Sequence, residues 1–295
     1  MLGTVPDLDV LIDYGGDVAN FTYHRGFSHS LLVLAPFSVL LWLALRRWWA
    51  PVRDAPHAWL AAISLTLLTH PLLDAHTVYG TQLFRPYTPP PTMWSTLFII
   101  EPLYTLPLIV GVLATTISPG RIQWLRVGLV LSTLYIGWSW IGKFIVEGNA
   151  RDALAMQGLE DRPMFSTPTP LNTLLWRVVV LTDEGYLEGY DSLLIDEGPT
   201  RFRAYPSNSA LLSDASHVWA VARLRWFTRD FLKATVEDDR LILADLRMGQ
   251  EPDYVFTHVV AERGNPHWRE ISDELLEFEF ADRALSATWD RIWSN

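Results

Sequence analysis

Four apolar stretches in the first 146 residues, at 30–45, 58–73, 96–118 and 124–146, constrain the fold of this chain more than any other feature. The last two are long enough to cross a bilayer, which takes about 20 residues at 1.5 Å each. The first two would rise only about 24 Å. Two core helices of a soluble protein would read alike. The segments between the stretches, however, carry Trp42, Arg46, Arg47, Trp48, Trp49, Trp59 and Trp94, residue types that gather where membrane meets water. The reading is therefore a multi-pass protein, a mainly α membrane bundle of about four transmembrane helices over residues 1–150.

The second half reads differently. Residues 1–146 carry 8 Lys and Arg against 7 Asp and Glu, and the remainder carry 15 against 26. An acidic surface of that kind is unsuited to nucleic acid, so no nucleic-acid partner is expected. After Ser166-Thr167-Pro168-Thr169-Pro170, read as a linker or turn, β-rich runs follow at 174–182, 185–194, 218–227, 240–246 and 254–262. Helical stretches are expected at 209–218, 228–236 and 271–293. Residues 165–295 thus read as a soluble acidic α+β domain with an antiparallel sheet. The chain has no cysteine, which excludes disulfides, thiolate zinc sites and cysteine nucleophiles. With no basic segment or cleavage site at its start, its first apolar stretch is expected to act as the insertion signal.

Polar clusters sit at the edges of this apolar region. One is Pro6-Asp7-Leu8-Asp9 with His24-Arg25-Gly26-Phe27-Ser28-His29-Ser30; the other is His70-Pro71-Leu72-Leu73-Asp74-Ala75-His76-Thr77. Carboxylates and imidazoles are costly beside hydrocarbon unless they pair or hold an ion. Asp7 and Asp9 would share a face in an extended segment, which Pro6 favours. Gly26 permits a tight turn, and Ser28 is placed to cap the first span. His70 and Asp74, four apart, lie on one helix face, the spacing for two ligands of one ion or for a ligand and its supporting carboxylate. A lone His or Asp at a span end is more often a capping residue, and His76 is read that way. Glu101 is either a further polar contact or a cap. The joint pattern points to a divalent metal site, zinc fitting a His and carboxylate donor set, with Asp7, Asp9, His24, His29, His70 and Asp74 as candidate ligands. Asp9, His29 and Asp74 would take catalytic roles, and Arg25 would attract an anionic substrate.

These same blocks, extended to Val78-Tyr79-Gly80, resemble the membrane-bound metal-dependent hydrolase family, also described as LexA-binding, inner membrane-associated hydrolases. Phe98-Ile99-Ile100-Glu101-Pro102-Leu103-Tyr104 resembles a further block, with Glu where Asp is expected. The resemblance spans about residues 1–110 and returns more weakly at Pro168-Thr169-Pro170-Leu171-Asn172-Thr173-Leu174-Leu175-Trp176 and Asp245-Leu246-Arg247-Met248-Gly249. It implies a bacterial inner-membrane hydrolase of undefined substrate. Family members start with a further segment before Pro-Asp-Leu-Asp, so a truncated start is expected here.

The expectation is a membrane-embedded metal-dependent hydrolase of an ester or phosphoester, with membrane lipid as neighbour and a small molecule or lipid as substrate. The alternative is a non-catalytic membrane scaffold or regulator whose C-terminal domain binds a protein partner. Chain alternation puts both polar clusters and the C-terminal domain on one side. Arg46, Arg47, Arg53, Arg121 and Arg126 fall on the other, which makes the metal side extracytoplasmic by the positive-inside rule.

Overall fold

The computed structural model describes residues 2–277 and 282–294. Helices α1 (Asp17–Tyr23), α2 (Leu31–Trp48), α3 (Ala50–Asp54), α4 (Pro56–Asp74), α5 (Pro102–Ile117) and α6 (Ile122–Ala155) come first. Strands β1 (Met164–Pro168), β2 (Leu175–Leu181), β3 (Gly185–Ser192) and β4 (Arg201–Pro206) follow, then helices α7 (Ala210–Asp214) and α8 (Trp219–Thr228). Strands β5 (Leu232–Glu237), β6 (Arg240–Asp245), β7 (Gly249–Gln250), β8 (Asp253–Tyr254), β9 (Thr257–Glu262) and β10 (Arg269–Leu275) precede a last helix, α9 (Asp282–Trp293).

The chain condenses into two compact units, and each draws on both halves of the sequence. One comprises Met1–Ala75, Tyr79–Trp94 and Asn208–Phe278; the other comprises His76–Val78, Ser95–Ser207 and Glu279–Asn295. The change of composition near residue 150 is therefore not a border between compact units.

In the first unit an antiparallel sheet of order β10-β9-β6-β5 is covered by α8 and α1. Leu232, Leu241, Leu243 and Val260 of the sheet bury against Val221, Leu224 and Phe227 of α8 and Val18 and Phe21 of α1. Each such side chain contributes roughly 1.5–3 kcal/mol through lost apolar surface. A seven-residue helix cannot persist alone. α1 is held by strand β10, 255 residues later: Val18 N donates to the Asp273 carboxylate, and Leu275 N donates to Asp17 at 2.8 Å. Helices α2 and α4 form an antiparallel pair around Leu34, Ile63 and Leu67.

In the second unit α5 and α6 pair closely enough that a Cβ at Gly128 would lie 2.3 Å from the Pro107 carbonyl oxygen. Small residues of this kind let apolar helices approach. At about 51 Å, α6 is longer than a bilayer core. Its last turns bury Val146, Ala150 and Leu154 against Trp176, Val178 and Val180 of the sheet β1-β2-β3-β4.

Several expectations change. Residues 164–168 form edge strand β1, with Pro168 as its final residue, so the linker or turn read at 166–170 is strand through Pro168 and turns only at Pro170-Leu171. A proline is tolerated at a strand end on a sheet edge. Residues 219–228 are helix, because Ala220, Val221, Leu224, Phe227 and Thr228 fall on one helical face. Residues 232–237 are strand, with Leu232 and Ala234 alternating inward. The helix expected at 271–293 begins only at Asp282, after strand β10.

Four apolar helices form where the four stretches were read, but only α2 and α6 are long and apolar enough to cross a membrane. Helix α5 has 16 residues. Helix α4 has 19, yet His57, Thr66, Thr69, His70 and Asp74 dilute its apolar character.

Candidate metal centre

The polar clusters meet within the first unit, at the end of the α2–α4 pair. Pro6–Leu11 is a 3-10 helix and not an extended segment, so Asp7 and Asp9 do not share a face. They approach His29 from opposite sides of its ring: Asp7 Oδ1 lies 3.2 Å from Nε2, and Asp9 Oδ2 lies 3.7 Å from Nδ1. Gly26 makes the turn into this region, since a Cβ there would lie 2.6 Å from the Tyr23 carbonyl oxygen. Arg25 beside it adopts the left-handed region, at φ 56°, a conformation costly for a residue with a side chain and often found at functional sites.

Four donor atoms converge. Asp7, His29, His70 and Asp74 each offer one ligand atom, and all four atoms lie within 4.8 Å of one another. His29 Nε2 is 3.1 Å from Asp74 Oδ2 and 3.3 Å from His70 Nε2. His70 Nε2 in turn is 3.3 Å from both Asp7 Oδ1 and Asp74 Oδ2. A tetrahedron with bonds of about 2.0–2.2 Å, the range for zinc with nitrogen and oxygen, has edges of about 3.3–3.6 Å. Five of the six separations, at 3.1–3.3 Å, come close to such edges, and the sixth, between the Asp7 and Asp74 oxygens, is within 4.8 Å. His29 is fully buried, whereas the Asp7 side chain is 46 % exposed, so the group opens to solvent on the Asp7 side.

Asp9 and His24 lie behind this group. His24 Nδ1 donates to Asp9 Oδ1 at 2.7 Å, and Arg25 N and the Ser28 hydroxyl donate to Asp9 Oδ2. Burial pushes the Asp9 carboxyl up, but the hydrogen bonds from His24 and Ser28 outweigh it and leave Asp9 below the usual carboxylate range. With its proton directed to Asp9, Ser28 Oγ can accept from His29 Nδ1 at 2.9 Å. This leaves His29 Nε2 as the atom that meets Asp7, His70 and Asp74. Ser28 was read only as a helix cap; the residue at the cap position of α2 is Ser30, whose hydroxyl instead donates to the Arg85 carbonyl at 2.7 Å.

Arg25 Nη2 lies 3.3 Å from Asp74 Oδ1, and its guanidinium stacks 5.1 Å from the Tyr79 ring centroid. The side chain is buried and positions Asp74. Tyr79 is anchored through its hydroxyl, which donates to the Phe21 carbonyl at 2.6 Å. Its place within the quoted motif was the signal for it. His76 belongs to the other unit, where it contacts Thr96 at 2.6 Å. Glu101, also there, accepts from the Tyr135 hydroxyl at 2.9 Å.

Residues 1–146 match the family model described as YdjM inner membrane protein. That YdjM-like region includes every residue of the His/Asp group, all of α2 and all but the last nine residues of α6, the two helices among the described residues that are long and apolar enough to cross a membrane. YfhP of Bacillus subtilis (strain 168), described as an uncharacterized protein, is 31% identical over 83 residues. That match covers 28% of this chain and 25% of YfhP, so the chain spans about a quarter of the length of the relative it matches. No solved structure matches the chain.

Proposed function

We propose that this chain is a membrane-embedded hydrolase that holds a divalent ion, zinc by its donor set, between Asp7, His29, His70 and Asp74. The observation that carries the reading is the convergence of two imidazole nitrogens and two carboxylate oxygens from three separate segments. When bound, such an ion lowers the pKa of water to near 7 and polarises a scissile ester or phosphoester. The chain's own residues do the rest. Asp9 and Ser28 orient His29, Arg25 orients Asp74, and exposed Asp7 leaves an approach for substrate. Outer partners of this kind set ligand orientation and basicity.

The test is elemental analysis of detergent-purified protein, followed by assays on ester and phosphoester substrates before and after chelation. About one zinc per chain and chelator-sensitive turnover are expected. Protein without bound ion ends the proposal; an ion retained without turnover on any ester would favour the scaffold reading.

The same reading takes all four apolar helices as spans, α4 beside α2 and α5 beside α6, in the inner membrane named by the matching family. Arg46, Arg47 and Arg53 at the tip of the α2–α4 pair then face the cytoplasm and the His/Asp group faces away from it. Single cysteines at exposed Asp54 and Asp253 should label from opposite sides, Asp54→Cys from the cytoplasm; labelling of both from one side would rule this topology out.

A further inference from the structure

Arg85 and Arg223 stand together in the first unit with no carboxylate within 4.0 Å of either among the described residues. Both guanidinium groups face Tyr23, at 5.8 and 4.5 Å from its ring centroid, and Arg223 also stacks on Trp226 at 4.2 Å. Arg223 is fixed by donating through Nε to Thr22 Oγ1 at 2.8 Å and through Nη2 to the Thr22 carbonyl at 3.0 Å. Arg85 Nε donates to Gln82 at 2.8 Å, while its Nη2 is buried and has no hydrogen-bond partner. A buried charged donor without an acceptor is costly, and a second like charge beside it adds to that cost. Burial pushes Arg223 down to about 10, and the Arg85 charge acts in the same direction.

Neighbours of this pair adjoin the ion-site segments. Tyr23 ends α1 and adjoins His24, and Gln82 N donates to the Arg25 carbonyl at 3.0 Å. Ser30, at the start of α2, holds the Arg85 carbonyl. Arg85 is thus tied both to the ion-site segment, through Gln82, and to Ser30, the residue that precedes an apolar helix.

We propose that Arg85 and Arg223 form a receptor for a phosphate group, so that the substrate of the neighbouring centre is a phosphate-bearing molecule. Arg223 Nε and Nη2 already donate to Thr22, which fixes the group and leaves Arg223 Nη1 and the Arg85 Nη groups for a tetrahedral oxyanion, which accepts several charge-assisted hydrogen bonds at once. The proposal deepens the hydrolase reading. Its readout is binding in the absence of the ion, so either one can fail without the other.

The experiment is titration calorimetry on the full chain in detergent, treated with chelator, using inorganic phosphate and dihexanoyl phosphatidylglycerol as probes. Binding of at least one probe is expected. Arg85→Gln and Arg223→Gln should each weaken it by about tenfold or more, the loss of one charge-assisted contact. Binding of both probes would identify the phosphate group itself as sufficient; binding of the lipid alone would identify a headgroup. Should Arg223→Gln fail to fold for want of its Thr22 contacts, Arg85→Gln decides, since its side-chain loss removes only one hydrogen bond and a stack. No binding of either probe, or binding unchanged in Arg85→Gln, would overturn the proposal.

Discussion

His70→Ala should strip the divalent ion from the purified protein and abolish turnover, while leaving the helical signal of the detergent-solubilised chain intact. His70 contributes one of four converging donors, and its side chain is only partly buried, at 20 % exposure, so its loss leaves no large cavity. Asp9→Asn is the informative contrast. Asp9 reaches the donor group through Ser28, His29 and Arg25, and supporting residues of this type typically cost about 10–100-fold in metal affinity. Competition with a graded chelator series should therefore rank wild type first, Asp9→Asn intermediate and His70→Ala last. Equal losses for both substitutions would mean that Asp9 is itself a ligand, and unchanged ion content in His70→Ala would break the centre as drawn.

Helical periodicity made part of this centre legible in advance. His70 and Asp74 lie four apart on α4 and meet at 3.3 Å, as the spacing predicts. The two aspartates near the start were harder, because alternation tells of a shared face only if the segment is extended, and Pro6 also opens a 3-10 helix. That local choice separates Asp7, among the four converging donors, from Asp9, behind them. The exchange of helix and strand around residue 228 has a similar origin. Val218-Trp219-Ala220-Val221 is rich in residues that favour strands, yet the wider spacing of Ala220, Val221, Leu224 and Phe227 is helical, and burial against β5 and β6 decides it. Least legible was the attachment of α1 to β10. A carboxylate at Asp273 carries no mark that it will hold the backbone of Val18. The resulting union of the His/Asp group with the sheet β10-β9-β6-β5 in one unit is set by tertiary packing.

Arg247→Met should destabilise the first unit by about 3–5 kcal/mol, the cost of leaving a buried charge without its partner. Arg247 and Asp245 are each 1 % exposed, and their bond is forked: Nε donates to Oδ1 at 2.9 Å and Nη2 donates to Oδ2 at 2.7 Å. Arg247 also donates through Nη1 to the Phe227 carbonyl at 3.2 Å, which ties the end of β6 to the end of α8. These residues lie in the short Asp245-Leu246-Arg247-Met248-Gly249 block, which resembled the hydrolase family without a stated role. Geometry gives that block a structural task, and double substitution separates it from a catalytic one. Asp245→Leu with Arg247→Met removes both charges, so most of the lost stability should return. The shortfall should be about 1 kcal/mol, because Arg247 N also donates to Asp245 Oδ1 at 2.9 Å and loses that acceptor. Urea unfolding in detergent reads both effects, and ion content provides the control. Arg247→Met that unfolds like wild type, or a double variant no better than the single one, would show that the pair is not what holds β6 against α8.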